Sequence, residues 1–187
     1  MTTVAAIVAI VALLGTYLTW TAERIDRLNL RVERADASLD AQLVRRSAAA
    51  DSFALHAAEA GLLQERQLAD LRAAASTARS HGGDRWATEN ALTLRVIEAV
   101  LTVRQGGAAA SGRTVEVIAG LDSASERVDL ARSFYNQAVR DAREHRARVA
   151  PRLLHLAGRA AWPQFVDMDD TTLPDPAEQP ASRPHLP

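Results

Sequence analysis

The sequence predicts an all-α protein in which an N-terminal transmembrane helix precedes an antiparallel, up-and-down four-helix bundle. Residues 4–20 carry no charged side chain, later segments repeat apolar residues every three or four positions, and aromatic residues make up only 4% of the 187-residue chain. That repeat is typical of amphipathic helices, and the low aromatic content argues against a β-sandwich. We therefore divide the chain into an anchor (1–21), a cytoplasmic helical bundle (22–167) and a disordered, proline-rich tail (168–187).

The apolar run at residues 4–20 is the only segment that could cross a bilayer. As a helix it rises about 25 Å, the short end of what spans the hydrocarbon. Tyr17 and Trp20 end the run, where aromatic rings favour the headgroup level, and Glu23 begins the charged sequence. A signal peptide would start with basic residues and end at small ones, and a buried core helix would be apolar along one stripe only. An uncleaved anchor is the favoured interpretation.

Arginines predict the orientation of this anchor. None precedes the run, whereas four follow it closely, at Arg24, Arg27, Arg31 and Arg34. Positive residues favour the cytoplasmic side. We expect a single-pass protein of the cell membrane with its N-terminus outside and its bundle in the cytoplasm.

Composition narrows the function classes. With 22 basic and 23 acidic residues the formal net charge is only -1, so no global field recruits nucleic acid. The chain has no cysteine, which excludes disulfides, thiol catalysis and cysteine metal sites. No cofactor is expected.

Apolar residues continue the pattern beyond the anchor at Ile25, Leu28, Val32, Ala35 and Leu39. Two interpretations of the next stretch stay open. Ser47 or Asp51 could cap a second helix, or the first helix could run unbroken to Arg79. The stripe resumes at Phe53, Ala57, Ala60, Gln64, Leu68, Leu71, Ala75 and Ala78, and the sequence HGGD at 81–84 stops it.

A third helix is predicted from about Arg85 to Arg104, with a stripe at Ala87, Asn90, Leu94, Ile97 and Leu101. The fourth is predicted from Thr114 to about Ala150, where Pro151 ends it. Its stripe comprises Val117, Leu121, Ala124, Val128, Ala131, Tyr135, Ala138 and Ala142.

In an up-and-down bundle the fourth helix returns to the bilayer. The apolar stretch that follows it could therefore lie in the membrane interface, or it could cap the end of the bundle. Its apolar members are Leu153, Leu154, Leu156, Trp162 and Phe165.

Three sequence segments are similar to the LemA family of bacterial membrane-anchored proteins: LDAQLVRR at 39–46, ENAL at 89–92 and ARSFYNQAVRD at 131–141. The resemblance implies an N-terminal anchor and a cytoplasmic helical bundle. The chain departs from the family where a turn resembling Asp-Leu-Ile-Pro usually follows the first helix. The family has no established active site, so the resemblance implies no catalytic residue.

Three polar residues on the predicted stripes, with Asn136 one position beyond Tyr135, form a candidate polar layer: Gln42, Asn90, Tyr135 and Asn136. Buried amides in a bundle cost stability but fix the register of its helices. Helix lengths would allow Asn90 to contact the Tyr135–Asn136 pair. Register setting is favoured over ligand binding.

Asp141 and His145 lie four residues apart, so one helical face could present both to a metal ion. Two ligands make only half a site, and no H-E-x-x-H motif occurs. The simpler interpretation pairs Asp141 with a neighbouring arginine.

We therefore expect a non-catalytic interaction or scaffold protein, which could form an oligomer. Its expected partners are the lipid bilayer and a membrane or cytoplasmic protein. A metal-assisted hydrolase that uses Asp141 and His145 is the alternative.

Overall fold

The structure, a computed structural model, describes residues 1–80, 84–107, 112–147 and 162–167. Four helices account for most of these residues: α1 (Thr2–Glu59), α2 (Glu65–Ser80), α3 (Arg85–Gln105) and α4 (Gly112–Arg146). No strand occurs in the described ranges. The all-α class is confirmed, while the antiparallel bundle topology stays a prediction.

The first helix runs through residues 47–52 without a break and ends at Glu59. It ends there because Gly61 adopts a left-handed φ of 64°, which glycine tolerates best. The amide of Leu62 donates to the Ala57 carbonyl at 2.8 Å, and the Gly61 amide donates to Ala58 at 3.2 Å. These two bonds are a Schellman C-cap. Both interpretations left open by the sequence, a new helix at Ser47 or Asp51 and an unbroken helix to Arg79, are therefore wrong.

Side chains fix the starts of α2 and α3. The backbone amide of Gln64 donates to the side-chain carbonyl of Gln67 at 3.1 Å. The Asp84 carboxylate accepts from the amides of Trp86 and Ala87 at 3.0 and 3.4 Å, as an N-cap residue does. The predicted limits of the third helix, Arg85 to Arg104, are confirmed to within one residue.

The predicted stripe of α3 is wrong at two of its five positions, whereas Ile97 packs against the core. Ala87 is exposed, and Leu94 is 64% exposed. Because apolar residues lie on several sides of this helix, its spacing alone allows more than one buried face. The face that is buried consists of Glu89, Leu92, Thr93, Val96, Ala99, Val100 and Val103.

The described residues form two units, one of Met1–Leu39 with Ala131–Val166 and one of Asp40–Leu130. The core of the second unit takes apolar side chains from all four helices. Phe53, Leu71, Leu92 and Leu121, one from each helix, are each at most 1% exposed. Small residues of α1 beside Phe53 complete this core, and they let helices approach closely: Ala50, Ala54 and Ala57.

Within the first unit, the predicted apolar stripes are buried in part. On α1, Ile25 and Leu39 are fully buried, and on α4 Ala138 and Ala142 are buried. A polar contact also joins α4 to α1 in this unit: the Arg146 guanidinium donates to the Asn29 side-chain carbonyl at 2.6 Å.

Candidate functional site

The N-terminal part of α1 is apolar and exposed. Among the described helices, α1 alone is long and apolar enough to cross a membrane, and none of its most apolar stretch is buried within the protein. Ile7, Val11 and Leu13 expose 61%, 63% and 72% of their surface. A core helix would bury such side chains, so this segment needs an apolar surrounding that the described residues do not supply.

A basic groove lies on α1 immediately after this apolar segment. It has a volume of about 550 Å³. The guanidinium of Arg24 lies over the indole of Trp20, 5.6 Å from the ring centre, in a cation–π contact. We call this surface the arginine groove, and it is lined by Trp20, Arg24, Arg27, Leu28, Leu30, Arg31 and Arg34.

Asp141 and His145 line a smaller pocket of about 230 Å³ within the same unit. One carboxylate oxygen of Asp141 accepts from the Gln137 amide at 2.8 Å, and the other lies 3.6 Å from the Arg31 guanidinium. His145 is only 6% exposed. Over the described ranges, no cluster of three or more histidine, aspartate or glutamate side chains is placed to hold a metal ion. Asp141 is thus engaged in polar contacts within the chain.

The four polar-layer residues are half-buried. The Asn136 amide group donates to the Val166 carbonyl and accepts from the Val166 amide, both at 2.9 Å. The Tyr135 hydroxyl donates to the Gln164 carbonyl at 3.0 Å. Gln42 accepts from Arg45 at 3.5 Å. Tyr135 and Asn136 thus hold residues 164–166 by their backbone, and the approach of Asn90 to this pair stays a prediction.

Two of the five predicted interface residues lie in the described ranges. Trp162 and Phe165 are 52% and 45% exposed, and the Arg143 guanidinium lies 5.0 Å from the Phe165 ring centre. The predictions for Leu153, Leu154 and Leu156, and for the tail at 168–187, concern residues outside the described ranges. Contact of residues 153–165 with the membrane interface stays a prediction.

Sequence reasoning missed a buried ion pair in the second unit. Arg46 and Glu89 are each 2% exposed. One guanidinium nitrogen of Arg46 contacts the Glu89 carboxylate at 2.5 Å and the Glu89 carbonyl at 3.1 Å, and the other donates to the Thr93 hydroxyl at 3.0 Å. Burial lowers the pKa of Arg46, and the charge of Glu89 opposes this shift. Two charged residues 43 positions apart give no signal in sequence.

No protein-family model, no curated protein and no solved structure matches the chain. The resemblance to the LemA family therefore rests on the sequence segments described above.

Proposed function

We propose that the chain is a membrane-anchored, non-catalytic interaction or scaffold protein of a bacterial cell membrane, similar in design to LemA proteins. Its N-terminus lies outside, and the helices after residue 21 lie in the cytoplasm as a bundle that docks a membrane or cytoplasmic protein. The observation that carries this proposal is the exposed apolar segment of α1, none of which is buried within the protein. Burial of that segment in lipid removes its apolar surface from water, which is strongly favourable.

The contacts that these polar side chains make within the chain support a non-catalytic role. Arg46 and Glu89 bind each other inside the second unit. Asn136 binds backbone, and Asp141 binds Gln137. These polar groups are engaged in contacts that hold the chain together, as expected of a protein whose surface rather than a pocket carries its function.

Two arginines within the anchor are expected to abolish membrane insertion. Val8 and Val11 are 62% and 63% exposed, and Val8→Arg with Val11→Arg places both charges within the apolar segment. Each arginine near the centre of a spanning helix costs about 3 kcal/mol of insertion free energy. Flotation of membranes on a density gradient, which separates inserted protein from aggregates, should show the variant leaving the membrane fraction.

A matched control makes the same change elsewhere. Leu94 and Leu130 are 64% and 57% exposed, so Leu94→Arg with Leu130→Arg adds equal charge at similarly exposed apolar positions outside the anchor. This control should float with membranes like the unaltered protein. Flotation of the Val8→Arg, Val11→Arg protein at the level of this control would overturn the anchor.

Orientation has its own test, because the chain contains no cysteine. A membrane-impermeant maleimide should label Thr2→Cys in intact cells, and it should label Ala69→Cys, at an exposed position of α2, only after the cells are permeabilised. The cysteine-free protein gives the background signal. The reverse labelling pattern would contradict the proposed orientation and leave the anchor itself standing.

A further inference from the structure

We propose that the membrane-proximal end of the arginine groove binds the phosphate of an anionic phospholipid, through Arg24 and Arg27 beside Trp20. This inference rests on the proposed membrane anchor and adds a ligand to it. The site lies where the apolar segment of α1 gives way to charged sequence, the depth at which headgroups lie.

The spacing of the groove residues makes them one face of α1. Trp20, Arg24, Arg27, Arg31 and Arg34 follow one another at intervals of four, three, four and three residues, which matches the helical repeat. Glu23 and Asp26 carry as much negative charge as Arg24 and Arg27 carry positive, so the local net charge is zero. Because successive residues rotate by about 100°, Asp26 lies on another face. Glu23 lies four residues before Arg27 and borders the groove, but it forms no ion pair with Arg27 in the described residues. A charged face, rather than net charge, attracts the lipid.

The first two arginines are available to bind a phosphate. Among the described residues, no carboxylate lies within ion-pair distance of Arg24 or Arg27, although Arg24 lines the same small pocket as Asp141 and Glu144. Arg31 differs, because its guanidinium lies 3.6 Å from Asp141. Guanidinium groups bind phosphate oxygens in a bidentate geometry, which favours arginine at such a site.

The distance from the bilayer selects these two arginines. At about 1.5 Å per residue, Arg24 and Arg27 lie about 6 and 10 Å beyond Trp20, whereas Arg31 and Arg34 lie about 16 and 21 Å beyond it. The headgroup layer is about 5 to 8 Å thick, and screening in physiological salt acts over about 8 Å. Helical side chains also lean toward the N-terminus. The position of the Arg24 guanidinium over Trp20, one turn earlier, shows this lean toward the apolar segment.

Quenching of Trp20 fluorescence by brominated lipids tests the site at its location. The full chain, carrying Trp86→Phe and Trp162→Phe so that Trp20 is its only tryptophan, is reconstituted in phosphatidylcholine with small amounts of a lipid brominated near the headgroup. Brominated phosphatidylglycerol should associate with the site more strongly than brominated phosphatidylcholine, by about five-fold for each arginine. The double change Arg24→Gln with Arg27→Gln should remove this preference.

The matched control is Arg31→Gln with Arg34→Gln, which removes two charges from the same face further from the bilayer. It should keep the preference. Equal loss in both double variants would indicate diffuse attraction by the whole charged face and would overturn the site at Arg24 and Arg27. Loss of the preference when inorganic phosphate replaces chloride at equal ionic strength would assign the groove to a soluble phosphate and overturn the lipid site. Equal quenching by the two brominated lipids would overturn it as well. No quenching by either lipid would instead show that Trp20 does not reach a bilayer, and the proposed anchor would fail.

Discussion

Removal of one partner of the Arg46–Glu89 pair is expected to destabilise the protein severely. Glu89→Leu leaves the Arg46 guanidinium buried without its carboxylate, and Arg46→Met leaves the carboxylate buried without its cation. Breaking a buried ion pair in this way costs about 3–5 kcal/mol. Urea unfolding in detergent, followed by helical circular dichroism, should show this as a lower midpoint at an unchanged slope.

The double variant Arg46→Met with Glu89→Leu is expected to recover most of the lost stability. Apolar side chains of similar volume in place of a buried pair are often neutral or stabilising. Thr93 needs no new partner, because its hydroxyl donates to the Glu89 carbonyl at 3.0 Å whatever side chain stands at position 89. If the double variant lost as much unfolding free energy as the two single variants together, the pairing would be contradicted.

An exposed pair on the same helix serves as the control. Arg95 and Glu98 contact each other at 2.8 Å with side chains 48% and 54% exposed. Exposed pairs contribute at most about 1 kcal/mol, so Glu98→Gln should shift the unfolding midpoint far less than Glu89→Leu. Equal shifts for the two variants would mean that Glu89 is not buried.

The start of α3 was predictable from local sequence. The start of α3 follows Asp84, which the structure shows as its N-cap. The end of α1 was not predicted, because Gly61 lies between Ala60 and Gln64, which extend the apparent stripe although both are exposed in the structure. A local backbone requirement at one glycine outweighs a periodicity that continues past it.

The buried faces were predictable only where apolar residues occupy one side of a helix. On α4 the predicted stripe residues Leu121, Val128 and Ala138 are buried. On α3 apolar residues lie on several sides, and the buried face includes Glu89 and Thr93, which hydrophobicity assigns to the surface. Glu89 is buried together with a partner on α1, Arg46, which no pattern within α3 can report.

The candidate site also has features that local sequence predicts and features that depend on distant residues. The proposed anchor rests on an uninterrupted apolar run, which is a local property of the sequence, and the described residues contain one helix long and apolar enough to span a membrane. The binding of Asn136 to Val166 joins residues 30 positions apart. Such a contact depends on how the chain folds back, so the sequence could select Asn136 as a polar residue of interest without identifying its partner.

Leu92→Ala is expected to cost far more unfolding free energy than Leu94→Ala. Leu92 is fully buried and Leu94 is 64% exposed, although both lie on α3 two residues apart. Leu92→Ala removes packed atoms and leaves a cavity, which costs about 2–5 kcal/mol of unfolding free energy. Leu94→Ala should change it by less than about 0.5 kcal/mol, and the same urea unfolding measurement compares the two.

This comparison tests the rotation of α3 independently of any charge. The same chemical change on the same helix controls for helix propensity, because alanine replaces leucine in both variants. A larger cost at Leu94 would place the stripe of Ala87, Asn90 and Leu94 in the core, as the sequence pattern suggests. Glu89 would then turn toward solvent, and Glu89→Leu would also cost little unfolding free energy. Because one rotation of α3 determines both outcomes, severe effects at Glu89 and Leu92 must occur together.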